Sequence, residues 1–251
     1  MEWDILVFLL AAGFIAAFID SVVGGGGLIS LPALLLTGMP PTVALGTNKL
    51  ASSMSSLTSS LSFFFSGKIN IKLVRWLFPL SLVGSAAGSY VVTLLPSEFL
   101  RPLVVILLIV MTVYTVFKKK KVDEIKDILL TNKIYTITAI FALILGFYDG
   151  FFGPGTGAFL IFGFVLVGFD FVRAAGNAKV LNFGSNIASL ITFAFLGQVN
   201  YAYGIPMGIA MIFGALAGSQ LAIRKGSSYV RPLFIAITVV LIGKQVYDLL
   251  K

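Results

Sequence analysis

The sequence predicts an all-α, polytopic helical membrane protein built from two related halves. Three observations carry this. The 251 residues are 58% hydrophobic and only 11% charged, with a mean hydropathy of +1.03, whereas soluble chains carry about 25% charged residues. The apolar residues come in continuous runs of roughly twenty, the length of a bilayer-spanning helix, and do not alternate as they would in a barrel. The chain also matches itself. At a shift of 130, Gly46, Lys49, Ser55, Ser59, Phe63, Gly67, Asn70, Gly84, Gly88 and Arg101-Pro102 fall on Gly176, Lys179, Ser185, Ser189, Phe193, Gly197, Asn200, Gly214, Gly218 and Arg231-Pro232. Upstream the shift is 129, and Asp20, Gly24 and Gly26 fall on Asp149, Gly153 and Gly155. The registers change by one residue near Pro40-Pro41. An ordered match that includes Asp, Lys, Asn and Arg-Pro exceeds what an apolar composition supplies by chance.

The length allows about eight to ten membrane segments at ~20 residues each. The first repeat occupies 1–117 and the second 132–251, within one integral membrane domain. Each opens with an interrupted apolar segment, at 5–37 and 133–168, and continues with three helices. These are expected at 42–66, 72–95 and 99–117, and at 172–196, 202–223 and 229–249. Residues 118–131 form a cationic linker that begins KKKK and places it in the cytoplasm. The N-terminal MEWDILVF lacks a basic region and reads as the start of the first membrane segment, not as a cleaved signal.

Charge sets the topology. Lys68, Lys72 and Arg75, the linker with Lys118, Lys119, Lys120, Lys121 and Lys126, and Arg224-Lys225 should all be cytoplasmic by the positive-inside rule, and the uncharged GQVNYAYG at 197–204 should be outside. These assignments conflict if each interrupted segment crosses once. They agree if each is a hairpin that enters and returns, which also leaves Glu2 and Asp4 outside. The two halves are then inverted, each a glycine-broken helical hairpin followed by three transmembrane helices. The net charge of +8 follows from this loop bias and does not call for nucleic acid.

The interruptions are IDSVVGGGGLIS at 19–30 and YDGFFGPGTGA at 148–158. Consecutive glycines weaken a helix by about 1 kcal/mol each, and Pro154 breaks the second segment further. A helix that restarts within the bilayer, near Leu28 and near Gly157, presents unpaired N–H groups with partial positive charge. Two such ends facing each other form an anion site. Gly24, Gly25, Gly26 and Gly27, with Gly153, Gly155, Thr156 and Gly157, are the candidates for binding substrate through backbone. Close helix packing also uses glycines and accounts for Gly84/Gly88 and Gly214/Gly218; it does not require the aspartates.

Asp20 and Asp149 precede the two breaks. Carboxylates at membrane depth are costly and mark ion pathways, so they are candidates for coupling H⁺ or Na⁺. Pairing with Lys49 or Lys179, or capping the restarted helix, is the alternative. Asn48, Lys49, Asn177 and Lys179, near the starts of the next helices, are candidates for the substrate. Ser52, Ser55, Ser56 and Ser59, with Asn182, Ser185 and Asn186, give a polar face fit to line a pathway; interhelical hydrogen bonding would explain the serines alone, and the lysines could instead snorkel to an interface.

The combination D-S-x-x-G-G-G-G-L-I-x-x-P, G-x-x-P-x-x-A-x-G-T-N and G-K-I-N, followed by D-G-F-F-G-P-G-T-G and R-A-A-G-N-A-K, resembles the sulfite exporter TauE/SafE family over essentially the whole chain. The resemblance implies a small permease of sulfite, sulfonates or related organic anions in a prokaryotic inner membrane, with the glycine motifs carried onto Gly24–Gly27, Gly153, Gly155 and Gly157. The expectation is an anion exporter working by alternating access. Its partners are the substrate anion, the bilayer and a coupling H⁺ or Na⁺, with a homo-oligomer compatible; no cofactor is called for. With no Cys and no His, zinc, haem and triad chemistry are excluded, and no P-loop signature is present. A passive anion channel fits the same features. An intramembrane aspartyl protease would use the two aspartates but lacks the expected glycine–aspartate pairing at the second acid. A non-transporting membrane subunit leaves the polar face unexplained.

Overall fold

A computed structural model describes residues 3–96, 98–99, 106 and 131–226. Eight helices make up its regular structure: α1 Trp3–Val23, α2 Gly27–Leu35, α3 Pro41–Phe65, α4 Ile71–Thr93, α5 Asn132–Phe151, α6 Thr156–Leu166, α7 Phe171–Phe195 and α8 Tyr201–Lys225. The expected helices at 99–117 and 229–249 and the linker lie, but for isolated positions, outside the described residues.

Each half has the same plan. The interrupted segments break after Val23 and after Phe151, and restart at Gly27 and Thr156. The chain then runs back along its own first helix: Gly26 lies on the Ala16 carbonyl, and Gly163 lies against the Phe141 ring. At nine and eleven residues, α2 and α6 span at most about 17 Å, against ~30 Å of hydrocarbon. They are the short return arms of hairpins.

Four of the described helices, α1, α4, α5 and α8, are long and apolar enough to cross a membrane. Helices α3 and α7, expected to cross as well, are less apolar than these four. Both are 25 residues long, but serine, asparagine and lysine lower their apolarity below that of a lipid-facing span. Their polar side chains are instead buried among neighbouring helices: Ser53, Ser55, Ser56, Ser59 and Ser60 on α3, and Asn182, Ser185, Asn186 and Ser189 on α7. Polar faces at membrane depth must look at protein or water, and these look at neighbouring helices or into the space between them.

The halves exchange partners. The long arm of each hairpin packs on the last described helix of the other half, α1 on α8 and α5 on α4. Small residues make the approach close. Gly84 and Gly88 sit on the carbonyls of Leu143 and Phe147, and their repeat counterparts Gly214 and Gly218 sit on those of Phe14 and Phe18. This is the G-x-x-x-G packing read from the sequence. At the core, α3 and α7 lie together, the start of each beside the end of the other: Gly46 rests on the Gln198 carbonyl and Gly176 on the Lys68 carbonyl. Two matching latches hold these ends. The Asn70 amide donates to Asn177 Oδ1 at 2.8 Å, and the Asn200 amide donates to Thr47 Oγ1 at 2.9 Å. The same two asparagines cap α4 and α8, accepting from Leu73 N at 3.2 Å and Tyr203 N at 3.3 Å.

At Gly88 and Gly218 an added methyl would overlap a carbonyl oxygen of the facing helix. Gly88→Ala and Gly218→Ala are each expected to destabilise the fold by about 1–3 kcal/mol, the range for overpacking, read as a lower midpoint of thermal unfolding in detergent.

Candidate functional site

The two breaks meet at the centre of the bundle. Positive φ angles at Gly24 (74°) and Gly25 (98°), and at Gly153 (98°) and Gly155 (86°), turn the chain where a side chain would be strained. Gly24 touches the backbone of Gly157 and Ala158, and Gly27 lies on Pro154, where a Cβ would come within 2.9 Å of its Cα. The starts of α2 and α6 therefore share one small space. Neither the Gly27 nor the Gly157 amide is tied to a backbone carbonyl, as expected of first-turn positions.

Each aspartate is held by a lysine of the opposite half. Asp20 Oδ1 accepts the Gly26 backbone amide, just before the restarted helix, at 3.1 Å, and its Oδ2 pairs with Lys179. Asp149 Oδ1 pairs with Lys49 Nζ at 2.9 Å. Its Oδ2 accepts from Ser185 Oγ and from Asn182 Nδ2 at 3.3 Å. Lys49 also donates to Asn186 Oδ1 at 3.0 Å. Both lysines are buried, at 2% and 0% exposure; they are ion-paired at the core and do not snorkel.

A cavity lies between these groups, lined by Asp20, Gly26, Gly27, Asn48, Lys49, Ser52, Ser55, Asp149, Gly153, Gly155, Gly157, Asn182, Asn186 and Met211. The cavity is small, about 20 Å³, room for about one water. Two lining groups, Asn48 Oδ1 and Ser55 Oγ, are buried without a hydrogen-bond partner. Such atoms cost free energy unless something fills them.

Other singled-out residues stand beside the cavity. Gly24 and Gly25 form the turn itself. Thr156 ties its hydroxyl to the Gly153 carbonyl at 2.7 Å. Asn177 belongs to the loop latch. Ser56 bonds the Ser52 carbonyl at 2.6 Å and accepts from Asn186. Ser59 pairs with Ser21 at 2.7 Å, which is interhelical bonding. Ser185 and Lys179 reach the cavity only through the aspartates they hold. Met211 on α8 is the wall residue that sequence reasoning passed over; an apolar residue in an apolar helix carries no signal.

The family comparison matches residues 9–244 to the model described as Sulfite exporter TauE/SafE. The chain belongs to the TauE/SafE family. A Sinorhizobium relative, "Probable membrane transporter protein ORF9", is 38% identical over 249 residues, covering 99% of this chain and 95% of its own. A "Probable membrane transporter protein" of Haemophilus influenzae is 37% identical, covering 98% and 96%. "Probable membrane transporter protein YfcA" of Escherichia coli K12 is 35% identical, covering 97% and 90%. No solved structure gives a significant match. This TauE/SafE protein is thus a multi-pass membrane protein of a transporter family with bacterial relatives, and not an enzyme.

Removing one partner of a buried ion pair strands the other charge, at a cost of about 3–5 kcal/mol. Lys49→Ala should cost that much in equilibrium unfolding, and the double change Lys49→Ala/Asp149→Asn should recover part of it. Lys179→Ala should cost less, because 17% of the Asp20 side chain is exposed and water can reach the stranded carboxylate.

Proposed function

We propose that this TauE/SafE protein is a secondary transporter, an exporter, of sulfite, a sulfonate or a related small sulfur oxyanion. The observation that carries the reading is the central cavity. Two helix starts, the buried Lys49 and two unpartnered polar groups converge on a space with almost no room. Backbone amides, hydroxyls and an ammonium are what a tetrahedral or pyramidal oxyanion needs. A space this small is what an occluded intermediate would have between two open forms.

Transport proceeds by alternating access, with the two halves rocking around the breaks. The halves are inverted in the membrane: α3 and α7 occupy equivalent places in the repeat yet lie start to end. The positive-inside distribution of basic loops supports the same arrangement. Rocking about the breaks opens the cavity to one side and then the other, and a cation at Asp20 or Asp149 drives accumulation. A passive channel would use the same groups without the drive.

Thermal shift of the purified protein across sulfite, sulfate, taurine, sulfoacetate and chloride tests the substrate class. One sulfur oxyanion should stabilise the protein, by about 2.7 kcal/mol at a hundredfold excess over Kd. Ser55→Ala and Asn48→Ala should weaken that shift. Accumulation of the same anion against its gradient in proteoliposomes separates transporter from channel. Stabilisation by none of these anions would overturn the substrate class.

A further inference from the structure

The repeat makes the two lysine–aspartate pairs comparable position by position, and they are not alike. Asp149 is saturated. Lys49, Asn182 and Ser185 occupy its two oxygens, and both members of the pair are 2% exposed. Asp20 has Lys179 and one backbone amide, and 17% of its side chain is open. At the shift of 130 the counterparts of Asn182 and Ser185 are Ser52 and Ser55. No hydrogen bond joins either of them to Asp20, and Ser55 Oγ has no partner at all. Both line the cavity, next to the second unpartnered group, Asn48. What the second half uses to complete its carboxylate, the first half leaves free.

Charge adds a second constraint. Asp20, Asp149 and Lys49 line the cavity, and Lys179 stands behind Asp20. Two lysines and two aspartates sum to zero. The elements packed on Asp20 add nothing to this among the described residues. α2 and α6 carry no ionisable side chain. On α7, beyond Lys179, Arg173 is exposed near the start. On α3, Lys49 is the sole ionisable residue. On α8, Tyr201 and Tyr203 lie at the first turn, and Arg224 and Lys225 are exposed at the last. The helix ends favour an anion locally but bring no net charge. A monovalent anion entering this site leaves one negative charge uncompensated at membrane depth, which is costly unless a cation enters with it.

We propose that anion binding is coupled to uptake of one proton by Asp20, with Lys49–Asp149 kept as a fixed ion pair and the oxyanion resting on the first-half wall of Asn48, Ser52 and Ser55. The proton removes the carboxylate charge that faces the anion. Lys179, relieved of its partner, then balances the anion instead, and the loaded site is neutral. The inference rests on the transporter reading above, and specifies which of two repeat-related aspartates exchanges its proton and why one proton is required.

The test uses the purified wild-type protein in weakly buffered detergent solution with a pH indicator. Ethanesulfonate and sulfate serve as probes, since neither changes charge in the working range. Binding is measured in parallel by calorimetry. Ethanesulfonate should bind with uptake of about one proton per anion, and its Kd should rise about tenfold per pH unit where Asp20 is ionised before binding. Asp20→Asn should bind with an affinity that no longer varies with pH and without proton uptake, whereas the charge-neutral double change Lys49→Ala/Asp149→Asn should keep the uptake. Binding by the wild type without proton uptake, including binding that requires Na⁺ instead, overturns this inference and leaves the transporter reading standing. So does proton uptake by a folded Asp20→Asn. If that variant does not fold, the wild-type proton count decides alone. Binding of neither probe at any pH overturns the sulfur-oxyanion reading and this inference with it.

Discussion

Two ammonium groups at the centre of a membrane bundle set the terms for everything around them. A buried lysine is tolerable only beside a counter-ion, and here each finds its counter-ion in the other half: Lys49 on Asp149 and Lys179 on Asp20. That requirement brings α3 against the second break and α7 against the first. It places the two breaks face to face and turns the polar faces of α3 and α7 inward. The glycine contacts of α1 with α8 and α5 with α4 then close the outer layer at backbone distance. The fold is a scaffold for two cross-half ion pairs, and the cavity is what remains between them.

Much of this could be read from the chain, because the informative residues contradict their surroundings. An aspartate followed by glycines in an apolar run, twice, cannot be an ordinary helix, and the restarts fall within a residue or so of the expected positions at Leu28 and Gly157. The helices α3, α4, α7 and α8 likewise begin and end within about two residues of the expected bounds. Sequence periodicity identifies a face but not its neighbour. Thus pairing of the aspartates with Lys49 or Lys179 was legible as an alternative, while which lysine serves which aspartate, each across the halves, was not. Asn177 looked like a substrate ligand because it stands, with Lys179, near the start of its helix; its oxygen serves the Asn70 backbone amide. Met211 offered no contrast with its helix. The polarity of α3 and α7 was visible, but its consequence, that other helices must cover them, depends on packing.

The duplication also shows how a symmetric frame acquires a direction. Most structural positions are kept between the halves: the latching asparagines, the close-packing glycines, the lysine and the aspartate. Around the carboxylates the halves differ: Ser52 and Ser56 stand opposite Asn182 and Asn186, and of the shared serines Ser185 bonds its aspartate while Ser55 has no partner. In the second half these side chains knit Asp149 and Lys49 into a closed network. In the first they leave hydrogen-bonding capacity unspent. Asymmetry therefore comes from a few side chains, without any change of backbone plan.

The exchange of partners between halves has a consequence for how the chain is made. When the ribosome has finished α3 at Phe65, Asp149, the counter-ion of Lys49, is still 84 residues from being synthesised, and α8, on which α1 will pack, begins only at Tyr201. The newly inserted first half is left with an unpaired ammonium and a serine-rich face in or near lipid. It cannot settle as an independent unit. Insertion of this protein is therefore a process in which early helices wait, shielded by the insertion machinery or at the bilayer surface, and the core forms only after the second half has arrived.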